Sequence, residues 1–283
     1  MNGNYEMHIS EVFIKGKISD DKCEDAIYLG KRFIAVIDGV TSKGKRLYQD
    51  KTSGRFAAEV LKRELSHLDY EWQDQDFKAN ELLRNLNESL RLEMKTVADE
   101  TIGVEDYLRA AIIILDKKEK RIINYGDCQC RIGDKVFSHS KAIDAKLAEK
   151  RADILIRAMH EGASQEELMK NDIGRSAILP DLRQQFEYEN KNCKYGYPVL
   201  NGCGINEGMI VEHRIREGES VILCSDGYPY VCDSLEASER KLHELLQNDR
   251  LLIWNYKSTK GVRYGADSFD DRAWVKVEQV LKF

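Results

Sequence analysis

Three apolar runs in this chain stop on an aspartate flanked by glycine: FIAVIDG at Phe33–Gly39, RIINYGD at Arg121–Asp127 and VILCSDG at Val221–Gly227. A fourth has the order reversed, with Asp270-Asp271 leading into AWVKV. A short β-branched run that breaks at such a pair reads as a buried strand ending in a tight turn, with one carboxylate fixed at the strand end. Strand ends this far apart in sequence can meet if the strands share one β-structure and the ends share one rim. That requirement points to a layered, strand-containing fold.

The 283 residues include only 3 Pro, and no Gly/Ser-rich or Pro-rich tract marks a linker, so one domain over 1–283 is expected. A hydrophobic fraction of 42% suffices for a core. The net charge of -5 argues against nucleic acid or an anionic membrane as a partner. The longest apolar run, Ala110–Leu115, is too short to cross a bilayer. The first residues lack the basic and apolar regions of a signal peptide. Seven cysteines without a CxxC pair fit a reduced, cytoplasmic protein better than a zinc site.

Taken in order, His8–Lys17 alternates like an edge strand. Glu24-Asp25 opens AIYLG, and Gly30-Lys31 turns it into FIAVIDG, a hairpin whose outer ends must lie side by side. Phe56, Val60, Leu61, Leu65 and Leu68 recur at helical spacing, as do Leu82, Leu83, Leu86, Leu90 and Met94. Tyr107–Leu115, Arg121–Tyr125 and Cys128–Ile132 read as successive antiparallel strands, with a bulge or bend at Gly126-Asp127.

Residues 141–208 read as a helical insertion, either a lid or substrate selector beside the rim or a decorative subdomain. One helix runs through Ile143 and Leu147, and Ser164–Glu167 forms a capping box for a second. A third segment is expected after Pro180, and Cys193–Gly208 is expected to be a mobile loop. Met209–Ile215 and Val221–Cys224 read as a strand pair, Leu235–Leu246 as a helix, and AWVKVEQVLKF as the last strand.

Hard divalent cations take carboxylate, carbonyl and water oxygens. An aspartate using both oxygens can hold two of them about 3.5–4 Å apart, and water between them becomes a nucleophile near neutral pH. A glycine after the aspartate leaves its carbonyl accessible. One Asp-Gly is a common turn; the signal is the ordered set.

That set, Glu24-Asp25, Asp38-Gly39, Gly126-Asp127, Ser225-Asp226-Gly227 and Asp270-Asp271, resembles the metal-dependent protein phosphatases, the type 2C Ser/Thr phosphatases, over about Glu24 to Val277. The resemblance implies an α+β fold, a four-layer α-β-β-α sandwich with two central antiparallel sheets and a helical flap. It implies Mn²⁺ or Mg²⁺, two ions and a weaker third. It also implies hydrolysis of phosphoserine or phosphothreonine in a phosphoprotein by a metal-bound water. By the same resemblance Asp38 bridges two metals and Gly39 lends a carbonyl. Asp226 and Asp270 hold the first metal, Asp25 with Glu24 serves the second, and Asp127 with Asp226 the third. Asp271 is assigned none.

The chain departs from the family at two places. Asp20 stands where many members carry a phosphate-clamping arginine, and Val40 stands where eukaryotic members often have histidine. Lys22, Lys43, Lys45 and Arg46 are the candidate replacements for the clamp, although a lysine lacks the bidentate fork of arginine. The missing arginine motivates two alternatives: a pseudophosphatase that binds without turnover, and a phosphatase for a small phosphorylated molecule.

Overall fold

The structure is a computed structural model and describes residues 5–97 and 102–281. Strand β1 (Tyr5–Lys15) precedes the hairpin of β2 (Asp25–Leu29) and β3 (Phe33–Gly39), then helices α1 (Ser53–Glu71) and α2 (Ala79–Val97). Next come β4 (Ala110–Asp116), β5 (Arg121–Tyr125), β6 (Gln129–Ile132) and β7 (Lys135–Phe137). Helices α3 (Ala142–His160), α4 (Gln165–Lys170) and α5 (Ile173–Gln184) follow, then β8 (Val211–Arg214), β9 (Val221–Cys224), α6 (Leu235–Asn248) and β10 (Arg272–Leu281). Lys282 and Phe283, the end of the expected last strand, lie outside the described residues.

The strands form two five-stranded antiparallel sheets, in the orders β1-β10-β9-β6-β7 and β2-β3-β4-β5-β8. Their inner faces meet through Ile34, Val36 and Ile113 on one side and Leu223, Val275 and Val277 on the other. The alternate residues Phe33, Ala35, Ile37, Ile112 and Ile114 pack outward on α1 and α2. Because β3 and β4 are covered on both faces, they read as unbroken apolar runs. Thr52 caps α1 by accepting from the Arg55 amide, and the apolar stripes of both helices are buried. On the far side Trp274, Tyr228 and Ile222 pack with Leu235 at the start of α6. Glu239 of α6 accepts from the Tyr228 hydroxyl and Arg272. The α+β, four-layer α-β-β-α architecture is therefore present.

Four local expectations need correction. β5 and β6 are not paired: the chain crosses from one sheet to the other at Gly126-Asp127. Gly126 has φ +133°, and a Cβ there would overlap Ala111. β8 and β9 likewise belong to different sheets, an edge strand on β5 and a central one between β6 and β10. Helix α5 runs through Pro180 instead of starting after it; Ile178 and Leu182 on either side pack with Ile143 and Leu147 of α3. Residues 193–208 are pinned, not free: Leu200 bridges to Ala110, and the Asn87 side chain accepts from the amides of Asn201 and Gly202.

Candidate metal centre

Strand pairing gathers the aspartates. Asp25 lies opposite Asp38 in the β2/β3 register. β9 sits between β6 and β10, with Cys224 opposite both Gln129 and Trp274. Asp127 before β6, Asp226 after β9 and Asp270 before β10 thus come to one end of that sheet. Two glycines permit the approach. A Cβ on Gly227 would overlap the Asp271 carbonyl, and one on Gly39 would overlap the carbonyls of Gly54 and Glu24. The Asp-Gly pairs therefore have a packing reason beside any role as ligands.

Asp38, Gly39, Asp127, Asp226 and Asp270 line one cavity of about 430 Å³. Asp25 is buried behind Asp38 and borders a separate groove of about 640 Å³ between β1, β2 and α1. Glu24 is committed elsewhere: its two carboxylate oxygens accept from Thr52 and Thr41, each at 2.7 Å, and its carbonyl accepts from the Gly39 amide. Asp271, assigned no metal, ties the end of β1 to the start of β2 by accepting from the amides of Lys17 (2.8 Å) and Glu24 (3.1 Å).

The carboxylates repel one another. Burial, then Asp226, Asp25 and Asp127, push Asp38 well above the usual range. Burial raises Asp25 likewise, with only the Ser225 hydroxyl acting to lower it before Asp271 and Asp270 add to the rise. Asp226 is pushed up to about 7 by burial, Asp270 and Asp127. Burial also works against Asp270, but Lys260 and Lys17 outweigh it and hold that carboxyl down to about 2.

Solved structures similar to this chain include the catalytic domain of the Ser/Thr protein phosphatase PstP in complex with two manganese ions. The identity is 15%, the match covers 98% of this chain and 100% of that one, and the TM-score is 0.54. The Mycobacterium tuberculosis Ser/Thr phosphatase PstP/Ppp matches at 14% identity over 96% of this chain and 98% of that one, TM-score 0.52. The chain has the fold of the metal-dependent protein phosphatases. No protein-family model and no curated protein sequence matches it.

Within this phosphatase fold the fit to a cation is partial. Among the described residues no three Asp, Glu, His or Cys side chains already converge as a metal-holding group. Lysines stand among the acids instead. Lys17 reaches Asp271 at 3.1 Å, Asp270 at 3.3 Å and Glu24 at 3.5 Å; Lys141 reaches Asp127 at 2.6 Å, and Lys260 pairs with Asp270. Yet among the described residues Asp25, Asp38 and Asp226 have no cationic side chain within ion-pair distance. The buried Oδ2 of Asp25 has no hydrogen-bond partner. A buried Asp25 and half-buried Asp38 and Asp226, none of them paired with a cation, are costly to ionise together and fit a divalent cation.

The expected phosphate-binding cations are dispersed. Lys43 lines the acidic cavity. Lys45 lines a neighbouring one of about 380 Å³, beside Asp106 and Arg183. Lys22 is exposed, and the Arg46 amide donates to Asp106. Asp20 closes its own turn by accepting from the Gly16 amide. The sequence analysis missed Lys17, Lys141, Arg175 and Lys260, and no spacing or motif marks them.

Proposed function

We propose that this chain is a metal-dependent phosphatase acting on phosphoserine or phosphothreonine in a phosphoprotein. The observation that supports this is the gathering of Asp38, Asp127, Asp226 and Asp270 around one cavity of the phosphatase fold, with Asp38 and Asp226 outside the reach of any ion pair. Mn²⁺ or Mg²⁺, when bound, supplies an activated water and charge neutralisation for in-line attack on phosphorus. Asp38 would be shared between two ions, with the Gly39 carbonyl beside it. Asp226 and Asp270 would complete one side, Asp25 the other with Glu24 behind it, and Asp127 a weaker third position with Asp226. Ser225 fixes Asp25 through its hydroxyl and accepts from the Ala273 amide at 2.9 Å. Tyr228, Tyr256 and Phe269 line the same cavity. The seven unpaired cysteines fit a reducing, cytoplasmic setting.

The test is hydrolysis of p-nitrophenyl phosphate and of phosphopeptides with Mn²⁺. Asp38→Ala and Asp226→Ala should each lower kcat by about a thousandfold or more, the scale of losing a metal that stabilises developing charge. Full activity in both variants would end the proposal.

A second reading draws on the lysines seated against Asp127, Asp270 and Asp271. They could let the site persist as a binding module without turnover. Mn²⁺ and phosphopeptide binding without hydrolysis of any phosphopeptide or small phosphorylated metabolite would favour it. Hydrolysis of the metabolites alone would instead point to a small-molecule phosphatase.

A further inference from the structure

We propose that the phosphate group is held by Lys43 and Arg175 as a pair, one from the loop after β3 and one from the helical insertion. The identity of the phosphate's parent molecule rests on the phosphatase function proposed above; the anion site itself does not.

Both side chains line the cavity that the aspartates line. Lysines 141 and 260 also face it, but each is paired with a carboxylate, Asp127 and Asp270. Among the described residues, Lys43 and Arg175 have no carboxylate within ion-pair distance. The Lys43 ammonium donates to the Thr41 carbonyl at 2.7 Å. Arg175 donates one N–H to the Thr259 carbonyl at 2.9 Å, which leaves four of its five donors for a ligand. Asp144 is the carboxylate that acts on both cations, and it forms an ion pair with neither. Positive charge without a paired carboxylate thus collects in the cavity that the acids line.

The collection is built, not incidental. Arg175 lies in the first turn of α5, where the Asp172 side chain accepts from its amide. Gly174 lets that turn close on α3, since a Cβ there would press on the Arg151 and Leu155 side chains. The two cations also repel. Burial, then Arg175 and Lys260, push Lys43 down to about 7. An anion between them would offset that repulsion. Arginine offers a planar fork to two phosphate oxygens and lysine a point charge to a third. A phosphate seated there would share the cavity with Asp38 and Asp226, where the attacking water is needed. Lys45 and Arg46 are then not clamp residues.

Inorganic phosphate titrated calorimetrically into the full-length chain, without metal and again with Mn²⁺, tests this. Wild type should bind it. Lys43→Met and Arg175→Gln should each weaken binding about tenfold to a hundredfold, the scale of one charge-assisted contact. Arg175→Lys should recover part of the loss, and Mn²⁺ affinity should not fall in any of the three. Arg175→Gln keeps an N–H for Thr259, and Lys43 lies on a separate element, so the two variants report independently. Unchanged phosphate affinity in both, or no phosphate binding by wild type in either condition, would overturn the assignment. Phosphate binding that behaves as expected in a chain that takes no Mn²⁺ and hydrolyses nothing would support the anion site and remove the phosphatase function.

Discussion

Asp226 and Asp270 are neighbours pushed in opposite directions, Asp226 up to about 7 by burial and Asp270 down to about 2, because lysines form ion pairs with only the second. The raised value has a definite sign. Folded Asp226 holds its proton more tightly than the unfolded chain does, so its stabilising protonation is lost as pH rises from about 4 through about 7. Without metal, Asp226→Asn should therefore raise the thermal midpoint at pH 8 by roughly 5 °C or more, with the gain shrinking towards pH 4. Circular-dichroism melts at both pH values check this; an equal effect at both would contradict it. Protons and cations compete for the same oxygens, so Mn²⁺ affinity should fall at least about tenfold per pH unit below 7. Gly227→Ala probes the gathering itself. Its Cβ would meet the Asp271 carbonyl, so it should weaken Mn²⁺ binding at least tenfold while far-UV dichroism is retained.

Arg151 dominates at the scale of elements. Its fully buried guanidinium pairs with Asp172 and donates to the carbonyls of Leu251 and Ser258, tying α3, the start of α5 and residues 251–260 together. Those segments carry Lys141, Arg175 and Lys260. Arg151→Met would leave two carbonyls unpaired and remove the ion pair to a half-buried Asp172 that still caps α5, a cost of about 3 kcal/mol. It should lower the thermal midpoint by roughly 10 °C and open residues 251–262 to protease before the sheets unfold. Elements of this kind are only partly legible in sequence. The β2–β3 hairpin is, because its turn is short and its apolar runs adjoin; the helical stripes of α1 and α2 are, because their period is local. The sheet to which β6 and β8 belong is not, because a four-residue strand looks the same whichever partner lies across from it. Pro180 inside α5 misleads, since packing on both sides outweighs the missing N–H.

Across the whole molecule, two five-stranded sheets act as a frame that brings residues from positions 25 to 270 to one end. The acids of that site are legible because each borders one end of an apolar run. The cations are not: Lys17, Lys141, Arg175 and Lys260 sit in polar stretches where only the tertiary fold decides what they face. No helix among the described residues is long and apolar enough to cross a membrane. The most direct measurement is anomalous diffraction at the manganese edge from crystals grown with Mn²⁺. At least two peaks within coordination distance of the Asp38 carboxylate are predicted, one of them shared with Asp226 and Asp270. Density that shows Lys17 and Lys260 still seated against Asp270, with no anomalous peak at Asp38, would contradict it.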